Sequence, residues 1–264
     1  MKNILSIAVL AAIVSAGAAQ AGPNLVKDGS FATSTTSEYY GVGNNQYWRN
    51  IGYDGATLRG WASNPLPNPP FFANGNTINF ANGPATPYNF VYMDAQPEYQ
   101  SWAFTQTING LTPGHSYKLS FLANYFTENN STGDTAGWTA NLGGTTNYNT
   151  ITRPDSSTYG QIGFTGGQTE STAQTLIPQG AGGYNVPNGT GWLPESLSFT
   201  ATGVSESLTF LATGEGNPPF AAITDISLSA VPEPSAWVMM VGGVFGFGFV
   251  ARRRRAGWSA ATAA

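Results

Sequence analysis

The chain has 264 residues, of which 41% are hydrophobic, with ten Lys and Arg against fourteen Asp and Glu and no cysteine. Lack of cysteine excludes a disulfide scaffold and thiolate metal sites. Within residues 22–231 only Lys27, Arg49, Arg59, Lys118 and Arg153 oppose thirteen acidic groups, a net charge of −8, and such scattered cations exclude nucleic acid as a partner.

In chain order, Met1-Lys2 supplies a positive start, Ile4 to Val14 an apolar core, and Ala19-Gln20-Ala21 a small-x-small cleavage site. That pattern reads as a signal peptide over residues 1–21, with a mature chain starting at Gly22 and export as the consequence. Residues 22–231 then read as one all-β domain, because no window sustains apolar residues at helical spacing. Asn24 to Phe31 is expected to form a short strand turning at Asp28-Gly29. Trp102, Phe104, Gln106 and Ile108 share one face of a strand that turns through Asn109 to Gly114. Tyr117, Leu119, Phe121 and Ala123 line the returning strand, so a hairpin with its apolar face inward is expected. Further alternating strands follow over Glu195–Thr202, Glu206–Ala212 and Ile223–Ser229. Short strands separated by turn signals indicate a β-sandwich.

The far end has a different logic. Pro232-Glu233-Pro234 denies the backbone a helix. The uncharged run Ser235 to Val250 follows, just short of the roughly 18–20 residues that span a bilayer. Arg252, Arg253, Arg254 and Arg255 then hold the cytoplasmic side by the positive-inside rule. Rigid linker, short membrane helix and basic stop, in that order, resemble the PEP-CTERM sorting signal of Gram-negative bacteria. Its PEPxxWA variant is matched by Pro232, Glu233, Pro234 and Trp237, with Val238 where that variant has Ala. The resemblance implies an exosortase partner that cuts near Pro-Glu-Pro, and a precursor anchored in the inner membrane before release to the surface or extracellular matrix. The sorting signal is assigned to residues 232–255, with a cytoplasmic tail over 256–264.

The body carries a second resemblance. Asn24–Phe31, Gln106–Phe121 and Thr224–Leu228 look like elements of galactose-binding-like jelly rolls, a fold shared by many carbohydrate-binding modules. The expected fold is thus a jelly-roll β-sandwich with long aromatic and Asn-rich loop insertions. Relatives often carry Glu after Ser-Phe, near a structural calcium that also uses an Asp of the final strand. Here Ala32 replaces that Glu while Asp225 remains. Asp28, backbone carbonyls and Asp225 are therefore the candidate calcium ligands. The alternative makes Asp28 a turn residue and Asp225 a strand-edge carboxylate. No other cofactor is implied.

Residues 37–101 and 124–192 are read as the insertions. They are rich in Tyr and Trp among Asn, Gly and Thr, side chains that stack on sugar rings and bond their hydroxyls. Trp48, Tyr53, Trp138 and Tyr148 are the candidate ligand contacts, since polar and Gly neighbours leave them less enclosed. For any single aromatic, core packing is the competing reading.

Catalytic candidates are few. The lone His115 sits in a turn and allows neither a His-based triad nor a two-His metal site. Asp94 and Glu98 form the nearest polar-loop acid pair, but Pro97 keeps them off one helical face. The reading is a non-enzymatic, exported protein that binds an exopolysaccharide or other neutral glycan. A secreted glycoside-active enzyme and a purely structural biofilm or surface protein are the alternatives.

Overall fold

The computed structural model describes residues 22–32, 35–36, 49–50, 56–57, 60–63, 71–73, 89–96, 103–127, 132–152, 158–178, 188–216 and 219–232. Every regular element among them is a strand. In chain order they are β1 (Thr35–Thr36), β2 (Arg49–Asn50), β3 (Ala56–Thr57), β4 (Ala62–Ser63), β5 (Phe71–Ala73) and β6 (Phe90–Asp94). Next come β7 (Phe104–Asn109), β8 (Ser116–Thr127), β9 (Thr135–Leu142), β10 (Thr145–Thr152), β11 (Thr158–Thr165) and β12 (Gln168–Ser171). The last are β13 (Thr175–Leu176), β14 (Asn188–Gly189), β15 (Leu193–Thr200), β16 (Ser205–Glu215) and β17 (Pro219–Ala230). Residues Pro23–Val231 form one compact unit.

Two sheets carry the fold. A six-stranded sheet runs β12-β9-β16-β7-β4, with β13 also on β9, and a seven-stranded sheet runs β14-β8-β17-β6-β5-β2, with β15 also on β8. The strands β6 to β9, and again β15 to β17, alternate between the two sheets, as in a jelly-roll sandwich. Alternation along each strand supplies the core. Phe104, Gln106 and Ile108 of β7 are buried while Thr107 and Asn109 are exposed. On β8, Tyr117, Leu119, Phe121, Ala123 and Tyr125 face the same core, which they share with Trp138, Ala140, Leu142, Leu208 and Phe210 of the opposite sheet. Rings lock the two layers together. Phe104 and Phe210 stack at 5.0 Å, and Phe121 reaches across from the other sheet to meet Phe210 edge-on at 6.0 Å.

The facing of β7 and β8 is as expected, but they are not hairpin partners. β7 pairs with β16 and β4, whereas β8 pairs with β15 and β17. The turn at Asn109–His115 is an arch between sheets. Inward apolar faces are equally well served by an arch or a hairpin, so the alternation alone does not choose. Two other expectations change. Residues 22–32 form no strand. Leu25 N–H donates to Leu228 O at 2.9 Å, after which Asp28 and Phe31 take positive φ values of 48° and 53°. That turn closes against β17, where Ile226 N–H donates to Gly29 O at 3.0 Å. Nor is 124–192 simply a loop insertion, since it contains β9 and β12 of the six-stranded sheet. Likewise β6, within 37–101, is a core strand whose Val91 and Met93 are fully buried.

Candidate functional site

The outward side of β8 carries Lys118, Ser120, Leu122, Asn124 and Phe126, alternating with the core residues. Across the ladders Ser120 opposes Ser196 of β15 and Ser227 of β17, while Leu122 opposes Pro194 and Thr224. Between Thr224 and Ser227 the register shifts, which inserts one extra residue into β17. Asp225 sits in that bulge at φ 51°. The outcome is an open depression of about 280 Å³, lined by Lys118, Ser120, Leu122, Pro194, Ser196 and Asp225 along with Phe121 and Glu195.

Electrostatics in this region are set by burial. Desolvation raises the Asp225 pKa above the ordinary carboxylate value. Desolvation also raises that of Glu195, against a smaller lowering effect of the Tyr125 hydroxyl, which donates to its Oε1 at 3.4 Å. Burial in turn pushes the Tyr125 phenol well above its usual range.

Beyond the depression, the same outward face becomes aromatic. Phe90, Tyr92, Phe126, Phe220 and Ala222 form a cluster distinct from the inter-sheet core, with partly buried Trp192 packed against it. Phe126 stacks on Phe220 at 5.2 Å, and Trp192 meets Phe90 edge-on at 5.6 Å. Trp192 lies two residues before Pro194, which lines the depression, and itself packs on the neighbouring aromatic cluster. Asn124, opposite Ala222, is fully buried, and among the described residues neither polar atom of its amide has a hydrogen-bond partner. Gly189 lies against it: a Cβ there would stand 2.4 Å from Asn124 Oδ1.

The sequence candidates fare unequally. Trp48, Tyr53 and Glu98 lie outside the described residues, as do Glu233, Pro234, Trp237 and Arg252 to Arg255; Pro232 is described only as the last residue of its segment. Trp138 is a correction. It has no exposed surface on β9, its indole N–H donates to Ala222 O at 3.2 Å, and Phe104 and Phe210 meet its ring edge-on. No ring face is left for a ligand; its Gly and Thr neighbours are strand residues. Tyr148 is half-exposed on β10. Trp192, absent from the sequence candidates, is partly buried on this outward face, in phase with Pro194 and Ser196 of β15.

The calcium candidates Asp28 and Asp225 are the chain neighbours of Gly29 and Ile226, whose backbones are hydrogen-bonded to each other. The backbone carbonyl of Asp28 accepts from Phe31 N–H at 3.0 Å and Trp61 Nε1–H at 3.4 Å. Asp225 lines the outward depression. Among the described residues no three His, Cys, Asp or Glu come together, whereas the expected set is two carboxylates with backbone carbonyls. His115 is exposed in the arch, and Asp94 Oδ1 accepts from Gln96 N–H at 2.9 Å as a turn residue.

No curated protein matches the chain. Among solved structures it is similar to a putative sugar binding protein from Bacteroides thetaiotaomicron, with 13% identity and TM-score 0.38 over 79% of this chain and 100% of that one. It is also similar to the CBM22-1 xylan-binding domain from Paenibacillus barcinonensis Xyn10C, with 11% identity and TM-score 0.34 over 82% and 99%. A third is the enzymatically active domain of tailspike protein 4 from bacteriophage CBA120, with 14% identity and TM-score 0.35 over 79% of this chain but 21% of that one. At the other end, residues 230–255 match the family described as the PEP-CTERM protein-sorting motif, so this chain carries the sorting motif of an exported protein.

Proposed function

We propose that this protein is exported through its N-terminal signal peptide, cut by an exosortase near Pro232–Pro234, and left at the cell surface or in the matrix as a non-catalytic binder of neutral polysaccharide. The observation that carries the binding reading is the conjunction on one sheet face of partly buried Trp192 with a depression edged by Ser120, Ser196, Lys118 and Asp225. An aromatic face near such a depression takes the C–H side of a sugar ring, and the hydroxyl and charged groups take its hydroxyls. The acidic body favours uncharged over acidic polymers, since like charge offers no attraction. Asp225 and Glu195 are walls of the site in this reading.

Retention of the exported protein on neutral and acidic exopolysaccharides tests it. Trp192→Ala should weaken retention on the neutral polymer about thirtyfold, the effect of losing an anchor worth about 2 kcal/mol. Ser196→Arg, which fills the depression without touching the core, should do the same while leaving the melting temperature unchanged. Retention unaltered in both, or confined to acidic polymer and abolished by moderate salt, refutes this site. Mass spectrometry of the released protein should find no peptide beyond Trp237; an intact extracellular tail would refute the sorting step.

A further inference from the structure

β9 and β12 form a ladder within the six-stranded sheet, with Leu142 opposite Gln168. β10 and β11 continue that ladder, with Thr145 opposite Thr165 through Thr152 opposite Thr158. The interruption between them is glycine on both strands. Gly143, Gly166 and Gly167 all have positive φ, and a Cβ on Gly167 would stand 2.2 Å from Gly144 N. One ribbon is therefore bent out of the sheet at a glycine joint. Beyond the joint, β10 and β11 form a two-stranded sheet of their own, and no other described strand pairs with either. The ribbon is steadied by Ile162 and Phe164, which pack on Ala103 and Leu211.

An open strand edge is normally blunted by charge, proline or a bulge. β10 has none of these. Thr145-Thr146-Asn147-Tyr148-Asn149-Thr150-Ile151-Thr152 contains no charged residue and no proline, and its eight pairings with β11 run without a register shift. β11 is equally uncharged but is broken by Gly160 and Gly163, which weaken strand pairing. Residues Thr145 to Asn149 are exposed.

We infer that β10 is a self-association edge whose partner is β10 of a second copy of this chain. A two-fold axis across the edge pairs the strands antiparallel and builds a four-stranded sheet from two ribbons, β11-β10 against β10-β11. The charge distribution selects this partner. Copies with a net body charge of −8 repel, and the two uncharged strands of this ribbon let identical surfaces meet without placing like charges side by side. Side chains of Thr and Asn on the two copies can hydrogen-bond across the ladder. The ribbon packs on Leu211 of the six-stranded sheet, whereas Trp192 packs on strands of the seven-stranded one, so association leaves the proposed glycan site open.

Sedimentation velocity of the exported protein across a concentration series tests this, alongside the double variant Asn147→Asp and Asn149→Asp. Both side chains are exposed, and Asp keeps their shape while setting like charges against each other across the axis. The wild type should associate with rising concentration. The double variant should need at least tenfold higher concentration at neutral pH and low salt, regain association in high salt, and keep its melting temperature and its retention on neutral polysaccharide. A wild type that stays monomeric throughout, or a double variant that associates as the wild type does, overturns the inference. Loss of glycan retention with association unchanged counts against it too, since it would place the ribbon in the glycan site.

Discussion

The contact of Gly29 with β17 offers a sharp test of the architecture. A Cβ built on Gly29 would stand 1.9 Å from Ile226 O and 2.9 Å from Ile226 C. Ordinary carbon–oxygen contact is above 3 Å, and both partners are backbone, so the chain must part by more than an ångström. The bond from Ile226 N–H to Gly29 O at 3.0 Å would break, and Leu25 N–H to Leu228 O would be strained. Losing a buried hydrogen bond or two costs about 1 kcal/mol each, and forced overpacking adds about 1–3 kcal/mol. Gly29→Ala should therefore lose about 2–5 kcal/mol. At 2–4 °C per kcal/mol for a domain of this size, that is a drop of roughly 4–20 °C in Tm. Gly110 is the control, with φ 83° and nothing within 4 Å of an added Cβ. Gly110→Ala carries only the left-handed backbone penalty, about 1–2 kcal/mol. Scanning calorimetry of both variants decides the matter. A Gly29→Ala loss no larger than that of Gly110→Ala would refute the clamp between the 28–31 turn and the β17 bulge.

Phe121→Ala removes a ring 3% exposed that bridges the sheets, and should cost about 3–5 kcal/mol in chemical denaturation. Lys118→Ala, on the outward side, should stay within about 0.5 kcal/mol; equal losses would mean that β8 faces the other way. Asn124→Leu exchanges an unpaired buried amide for apolar volume and should gain about 1–3 kcal/mol, and destabilisation instead would show that the amide has a partner. Burial raises the native pKa of Glu195, so the folded state holds its proton more tightly than the unfolded one. Its contribution to stability is then present at pH below the ordinary Glu value and lost as pH rises through the folded value. Glu195→Gln should accordingly be stabilising relative to wild type at pH 7, with the difference shrinking toward pH 4; a difference independent of pH would refute the assignment.

Much of this was legible in the residues themselves. The sorting motif at the C-terminal end is a linear address, defined by the order of Pro-Glu-Pro, apolar run and arginines, so nothing folded is needed to read it. The all-β class and the facing of β7 and β8 follow from period-two alternation, since a strand shows which of its sides is apolar. Alternation is silent about neighbours, however. Whether β8 returns beside β7 or crosses to the other sheet leaves Phe104 and Phe121 buried either way, and only the packing of all the strands together decided it. The site was hidden for the same reason. Trp138 and Trp192 both stand among Gly and Thr, yet one lies between two sheets and the other packs on an outward aromatic cluster. Burial is a property of what the rest of the chain places around a ring, so tertiary structure alone could separate the core tryptophan from the surface one.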